Sequence, residues 1–205
     1  MKTLLSAVLA ISTILLTGCG SGIASASPAT VAAGAATLPD NADEAATPHT
    51  AVGYCRQTGG EAFVRHAVYG SNSSKTLELA GVRDFCQYTS KKDGSRIHIL
   101  LSTLYTTKPT LAALAYILKP PPSSSCGGNP ASCYCTLLGG SDQFGGTTGA
   151  GGGWYNKKSV DQTLEACVFP DMSSIDSWGL TYHAHNIIRG INLEKVMRYK
   201  YPGGT

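Results

Sequence analysis

Apolar residues are distributed in three distinct ways along the chain. Leu4 to Leu16 is a continuous apolar run behind Lys2, too short to span a bilayer as a mature helix and right for the core of a secretory signal. From Gly20 to about Thr50 the residues are mostly Ala, Ser, Thr, Gly and Pro, with neither a helical nor a strand period, the pattern of a flexible tether. Beyond it the pattern is that of a folded chain. Glu61 to Val68 and Val82 to Tyr88 read as strands flanking a polar loop at Gly70 to Ser74, and Ile97 to Leu104 suits either a strand or a buried helix. Leu111, Leu114, Ala115 and Leu118 recur at helical spacing behind Pro109 and stop at Lys119 and a triple proline. That helix is apolar nearly all round, which predicts burial in the core.

Asn129 to Gly140 is the most informative stretch. Pro130 suits a first helical turn, where its missing N–H costs nothing, and Gly139-Gly140 suits a stop that needs left-handed backbone; a short capped helix is expected. Tyr134-Cys135 and the glycine pair are echoed without a gap by Tyr54-Cys55 and Gly59-Gly60. A second cysteine follows each copy at nearly equal spacing, Cys86 at 31 positions (86 − 55) and Cys167 at 32 (167 − 135). Each is followed by a turn, Asp93-Gly94-Ser95 in one copy and Asp171-Met172-Ser173 in the other. The chain reads as a duplication, and equivalence with the stretch around Trp178 favours helix for Ile97 to Leu104.

These residues resemble a known family, the small cysteine-rich bacterial lipoproteins often labelled haemolysins and grouped as a domain of unknown function. Its pattern is Asn-Pro-Ala-Ser-x-Tyr-Cys-x-x-x-Gly-Gly, then Cys-x-x-Pro-Asp-Gly-Ser-x-Cys-x-x-Trp. Asn129 to Gly140 fits the first half; Cys167, Pro170, Asp171, Ser173 and Trp178 fit the second, with Met172 in place of Gly and Ile175 in place of Cys. The first copy keeps Tyr54, Cys55, Gly59, Gly60, Cys86, Asp93, Gly94 and Ser95, as a degraded repeat. The resemblance covers roughly residues 50 to 105 and 129 to 183, and implies location and fold rather than activity.

Leu16-Thr17-Gly18-Cys19 looks like a lipobox, in which Cys19 becomes the lipidated N-terminus and membrane anchor. Gly20 rather than Asp after it favours the outer membrane. The expected organisation is a signal peptide over 1–18, a tether over 19–50, a first repeat over 51–119, a linker over 120–128, and a second repeat with a C-terminal extension over 129–205. Setting aside Cys19 leaves six of the seven cysteines, a usage that fits an exported protein. The repeat pairs Cys55 with Cys86 and Cys135 with Cys167, leaving Cys126 and Cys133 for each other. The expected fold class is α+β: a small disulfide-braced domain of two related helix-hairpin-helix halves, the hairpins pairing into one antiparallel sheet.

Charge narrows the function. Removing Lys2 leaves 15 basic side chains (16 − 1) against 13 acidic, a net of +2, without the basic stripe of a nucleic-acid binder. Arg189, Lys195, Arg198 and Lys200 form a C-terminal basic run around the single acid Glu194, suited to anionic head groups, to cell-wall polymer, or simply to a solvated helix face. The glycine-rich stretch from Gly145 to Gly153 lacks the Lys-Ser or Lys-Thr of a phosphate-cradling loop; it reads as a hairpin loop with Trp154 and Tyr155 at its exit.

His183 and His185 would share one face of a strand and could share a metal, but no third ligand is evident. Paired cysteines leave no thiolate nucleophile, no Gly-x-Ser-x-Gly elbow is present, and no spacing fixes Asp171 with Asp176, or Glu61 with Glu78, as a glycosidase pair. Neither metal nor cofactor is expected. The expected function is a lipid-anchored, non-enzymatic binding or inhibitory module of the bacterial envelope, facing the periplasm, with an envelope protein or cell-wall partner. Trp154, Tyr155, His183 and His185 are the candidate recognition surface. An envelope hydrolase built on His183, Asp171 and Asp176 is the alternative; no amphipathic or membrane-spanning stretch supports lysis.

Overall fold

The structure, a computed structural model, describes residues 50–72, 75–123, 126–142, 151–156 and 159–203, with backbone only at 159–162. The leader, Cys19, the tether up to residue 49 and residues 145–150 of the glycine-rich loop lie outside the described residues. Contacts divide the chain into Met1–Asn41 and Ala42–Thr205, and everything below concerns the second unit.

In chain order the elements are α1 (Ala51–Gln57), β1 (Glu61–Tyr69), β2 (Leu77–Thr89), β3 (Arg96–Leu100), α2 (Leu101–Tyr105), α3 (Leu111–Leu118), α4 (Pro130–Leu137), β4 (Ser141–Asp142), β5 (Gly152–Asn156), β6 (Ser159–Leu164), β7 (Ala166–Val168), β8 (Ser174–Asp176), α5 (Ser177–Ala184) and α6 (Leu193–Val196). The strands form one eight-stranded antiparallel sheet in the order β4-β7-β8-β3-β2-β1-β5-β6, curled into a half-barrel.

This corrects the expected α+β arrangement of two helix-hairpin-helix halves. The β5–β6 hairpin does not stay with its own half: β5 pairs with β1, through His66↔Tyr155 and Ala67↔Trp154. The physical reason is the long β1–β2 hairpin, whose outer strand needs a hydrogen-bonding neighbour. Pairing there also packs Trp154 against Phe85, ring centroids 6.2 Å apart. Ile97 to Leu104, open between strand and helix, is both: β3 runs to Leu100 and α2 begins at Leu101.

Period-two alternation gives the sheet two different faces. Cys86, Tyr88, Ile97, Ile99, Cys167 and Ile175 point to the helix-covered face and pack with Leu104, Tyr116, Leu180 and Leu193; full burial of each large apolar side chain contributes roughly 1.5–3 kcal/mol. The opposite face carries a smaller apolar cluster, Phe85, Trp154, Leu164, Ala166 and Val168. Set among these are buried polar residues, four of which, Arg65, Gln87, His98 and Asp176, bond to one another.

Three disulfides are present: Cys55–Cys86, Cys126–Cys133 and Cys135–Cys167. These are the pairs the repeat selects, and each closed loop restricts the unfolded chain, contributing about 2–4 kcal/mol for typical bridges. The duplicated Tyr-Cys and Gly-Gly residues have one physical explanation at both sites. The cysteine carbonyl accepts from the second glycine at 2.9 Å in each copy, closing α1 and α4 in the same way. The first glycine is left-handed, with φ +87° at Gly59 and +84° at Gly139, and the second has no room for a side chain. A Cβ on Gly60 would stand 2.3 Å from Cys86 Sγ, and one on Gly140 would stand 2.5 Å from Cys167 Sγ.

Candidate functional site

The four buried polar residues form one network. Arg65 comes from β1, Gln87 from β2, His98 from β3 and Asp176 from β8, all on one face because the registers Gln87↔His98 and Ile99↔Ile175 align them. His98 Nδ1 lies 2.9 Å from Asp176 Oδ2, and Asp176 Oδ1 accepts from Gly179 N at 2.8 Å, capping α5. The other ring nitrogen, Nε2, is 3.1 Å from Arg65 Nη2 and 2.9 Å from the Gln87 side-chain amide. A carboxylate at Nδ1 and a guanidinium at Nε2 define the tautomer: Nδ1–H donates and Nε2 accepts. Gln87 Oε1, the atom beside the ring, accepts from Arg65 Nη2 at 3.4 Å, and Gln87 Nε2 donates to Thr89 Oγ1 at 3.2 Å. Arg65 Nη1 also donates to the Trp154 carbonyl at 3.2 Å.

Burial governs the charges. Arg65 is 2 % exposed, and desolvation pushes its pKa down to about 10, opposed by the Asp176 carboxylate and reinforced by the Arg96 guanidinium. Burial lowers the His98 pKa against the hydrogen bond and charge of Asp176, and Arg65 and Arg96 add to the lowering; the imidazole is therefore neutral at pH 7.

The network opens into a cleft of about 220 Å³ whose walls include Arg96, Arg189, Trp178 and the end of β6 at Thr163 to Glu165. Glu165 accepts from Asn129 Nδ2 at 3.0 Å and hydrogen-bonds Trp178; burial raises its pKa, less so because of the Asn129 bond. The Asn-Pro-Ala-Ser motif thereby acquires a role beyond the helix. Asn129 Oδ1 caps α4 by accepting from Ala131 N and Ser132 N, while its amide holds the cleft wall. Next to this cleft lies a second hollow of about 440 Å³, sharing Trp178 and Arg189 and lined further by Tyr182, Ile187 and Ile188.

The expected recognition residues are not brought together. Trp154 is 5 % exposed, facing the smaller core with Arg83 stacked over its ring at 5.3 Å. Tyr155 points the other way and donates to Glu78, which also lies 3.4 Å from His66 Nδ1. His183 is 3 % exposed and stacks on Tyr116 at 3.8 Å. His183 lies on α5 and His185 is that helix's C-cap, not on a strand, so the two imidazoles do not share a face; His183 is a core residue and His185 an exposed one. Trp154 and His183 are therefore corrected from surface to interior. Asp171 caps α3 by accepting from Leu111 N at 2.8 Å, so it is remote in role from Asp176. Among the described residues no group of three His, Cys, Asp or Glu could hold a metal ion. The C-terminal basic run is dispersed: Arg198 stacks over Tyr105 at 4.3 Å, Arg189 over Tyr182 at 5.1 Å, and Lys200 Nζ donates to the Glu194 carbonyl.

Sequence reasoning missed Arg65, Gln87 and His98. Their signal is a polar residue inside an apolar strand, Arg65 between Val64 and Val68 and His98 between Ile97 and Ile99, a placement that demands buried partners. No family model, no curated protein and no solved structure matches this chain.

Proposed function

We propose that this chain is a non-enzymatic binding module of the bacterial cell envelope, anchored through lipidated Cys19 to the periplasmic leaflet of the outer membrane and presenting the cleft beside His98 to a periplasmic ligand. The lipobox Leu16-Thr17-Gly18-Cys19, the glycine after it and the resemblance to the cysteine-rich lipoproteins support the location.

The observation that carries the binding reading is the use of His98. A general base needs a free ring nitrogen aimed at a nucleophile or water. Here Asp176 takes Nδ1 and Arg65 with Gln87 takes Nε2, and among the described residues no serine, threonine or cysteine side chain bonds to the ring. The hydrolase reading is favoured by one observation, the 2.9 Å His98–Asp176 contact, which resembles the orienting half of a catalytic triad.

Two measurements test the proposal. Membrane fractionation of the wild type and of Cys19→Ser should show that only the former is retained; equal retention would remove the lipid anchor. Incubation of the purified full chain with murein and with peptides should yield no products by mass spectrometry. Turnover that disappears in His98→Gln would replace binding with hydrolysis.

A further inference from the structure

From the cleft's chemistry we infer that it takes the C-terminal carboxylate of an extended peptide whose last side chain is apolar. The inference rests on the binding reading and names its ligand class.

Three features converge. The first is cationic: Arg96 and Arg189 line the cleft beside the buried Arg65. Asp176 is committed to His98 and the α5 N-terminus, and Glu165 to Asn129 and Trp178. Arg96 Nε is buried without a hydrogen-bond partner, although it sits close enough to Arg65 for the two guanidiniums to repel. A planar carboxylate matches a guanidinium through two parallel hydrogen bonds and relieves such a repulsion.

The second is an apolar shelf. The adjoining hollow presents Trp178, Tyr182, Ile187 and Ile188 beside Asp93 and Ser95, with the Asp93 carboxylate held in its own turn by the Ser95 N–H and hydroxyl and Ile187 50 % and Ile188 42 % exposed. Arg189 belongs to both spaces, so a carboxylate bound there has an apolar shelf beside it.

The third distinguishes a peptide from other amphipathic acids. Among the described strands β6 is the outermost on its side of the sheet, and its end at Thr163 and Leu164 forms a cleft wall. An outer strand edge offers main-chain donors and acceptors to an extended segment. A fatty acid cannot use that edge, and a sugar acid would set hydroxyls against the two isoleucines.

The test is calorimetric titration of the full chain, solubilised in a neutral maltoside detergent, with N-acetyl-Ala-Leu as free acid and as amide. The free acid should bind, and the amide at least tenfold more weakly. Arg96→Gln and Arg189→Gln, both at partly exposed positions, should each weaken the acid at least tenfold with an unchanged thermal midpoint. Ile187→Ala, which touches only the adjoining hollow, should weaken it while leaving acetyl-Ala-Gly acid unaffected. Equal binding of acid and amide, or N-acetylmuramic acid or dodecanoate binding as tightly as the peptide, would overturn the inference. Recovery of the peptide is read separately: cleavage would remove the non-enzymatic reading and leave the acid-to-amide ratio standing, whereas intact peptide with no binding would remove the carboxylate site alone.

Discussion

Ile99 and Ile175 stand opposite each other in the β3–β8 pair, and each also stands opposite a half-cystine on its other side, Ile99 across from Cys86 and Ile175 across from Cys167. Both isoleucines are fully buried. The two disulfide-bearing strands, β2 and β7, are thus joined through β3 and β8 across one isoleucine pair. This is how the strands that carry Cys86 and Cys167 become part of one continuous sheet.

The glycines beside the disulfides provide the first prediction. Gly60→Ala and Gly140→Ala each drive a methyl group into a cystine sulfur, and each should destabilise by about 1–3 kcal/mol, with similar losses at the two sites in urea unfolding. Gly127→Ala, where nothing lies within 4 Å of an added Cβ, should stay within ~0.5 kcal/mol of wild type. A tolerated Gly60→Ala would contradict the packing.

The tyrosines before the repeat cysteines bridge distant parts of the chain. Tyr54 Oη donates to the Val196 carbonyl and Tyr134 Oη to the Pro120 carbonyl, both at 2.7 Å. Tyr54→Phe and Tyr134→Phe each leave a carbonyl without its donor and should cost about 1–3 kcal/mol. A double mutant whose loss is the sum of the two would show the bridges to be independent.

Much of this was legible from the chain because it is local. Tyr-Cys and Gly-Gly constrain a few successive residues, and the turn Asp171-Met172-Ser173 matches Asp93-Gly94-Ser95 even to its backbone, with φ +64° at Met172 and +71° at Gly94. In both turns the serine N–H and hydroxyl donate to the aspartate. What was not legible is non-local. The pairing of β5 with β1 joins residues such as Ala67 and Trp154, and no periodicity within either strand names its neighbour. The candidate site fails for the same reason: Arg65, His98 and Asp176 meet only once the sheet is assembled. His183 misled because a His-x-His pattern says nothing about whether its element is a strand or the end of a helix.

His183 gives the stability of the fold a pH dependence. Burial, with the charge of Lys119 adding to it, lowers its pKa from 6.5 to about 4; Glu194 Oε1, 3.6 Å from Nε2, does not offset this. Because the folded pKa lies below the unfolded one, the unfolded state binds more protons between them. Stability is therefore full above about pH 6.5 and falls as the pH drops toward 4, by an amount on the order of 3 kcal/mol at the low end. His183→Phe, which keeps an aromatic ring against Tyr116, should flatten the decline in urea midpoints between pH 7 and 4.5. An unchanged slope would assign the dependence to other groups.

The claim that His98 is a structural centre of the binding cleft, and not a catalytic base, is tested most directly by nitrogen-resolved histidine NMR of the full chain at pH 7, with and without N-acetyl-Ala-Leu. The account predicts a neutral His98 protonated at Nδ1 by virtue of Asp176, with Nε2 held as acceptor and its signals unchanged when peptide is added, while the Arg96 and Arg189 guanidinium signals shift. A His98 that is charged at pH 7, carries its proton on Nε2, or changes protonation as peptide enters would contradict it.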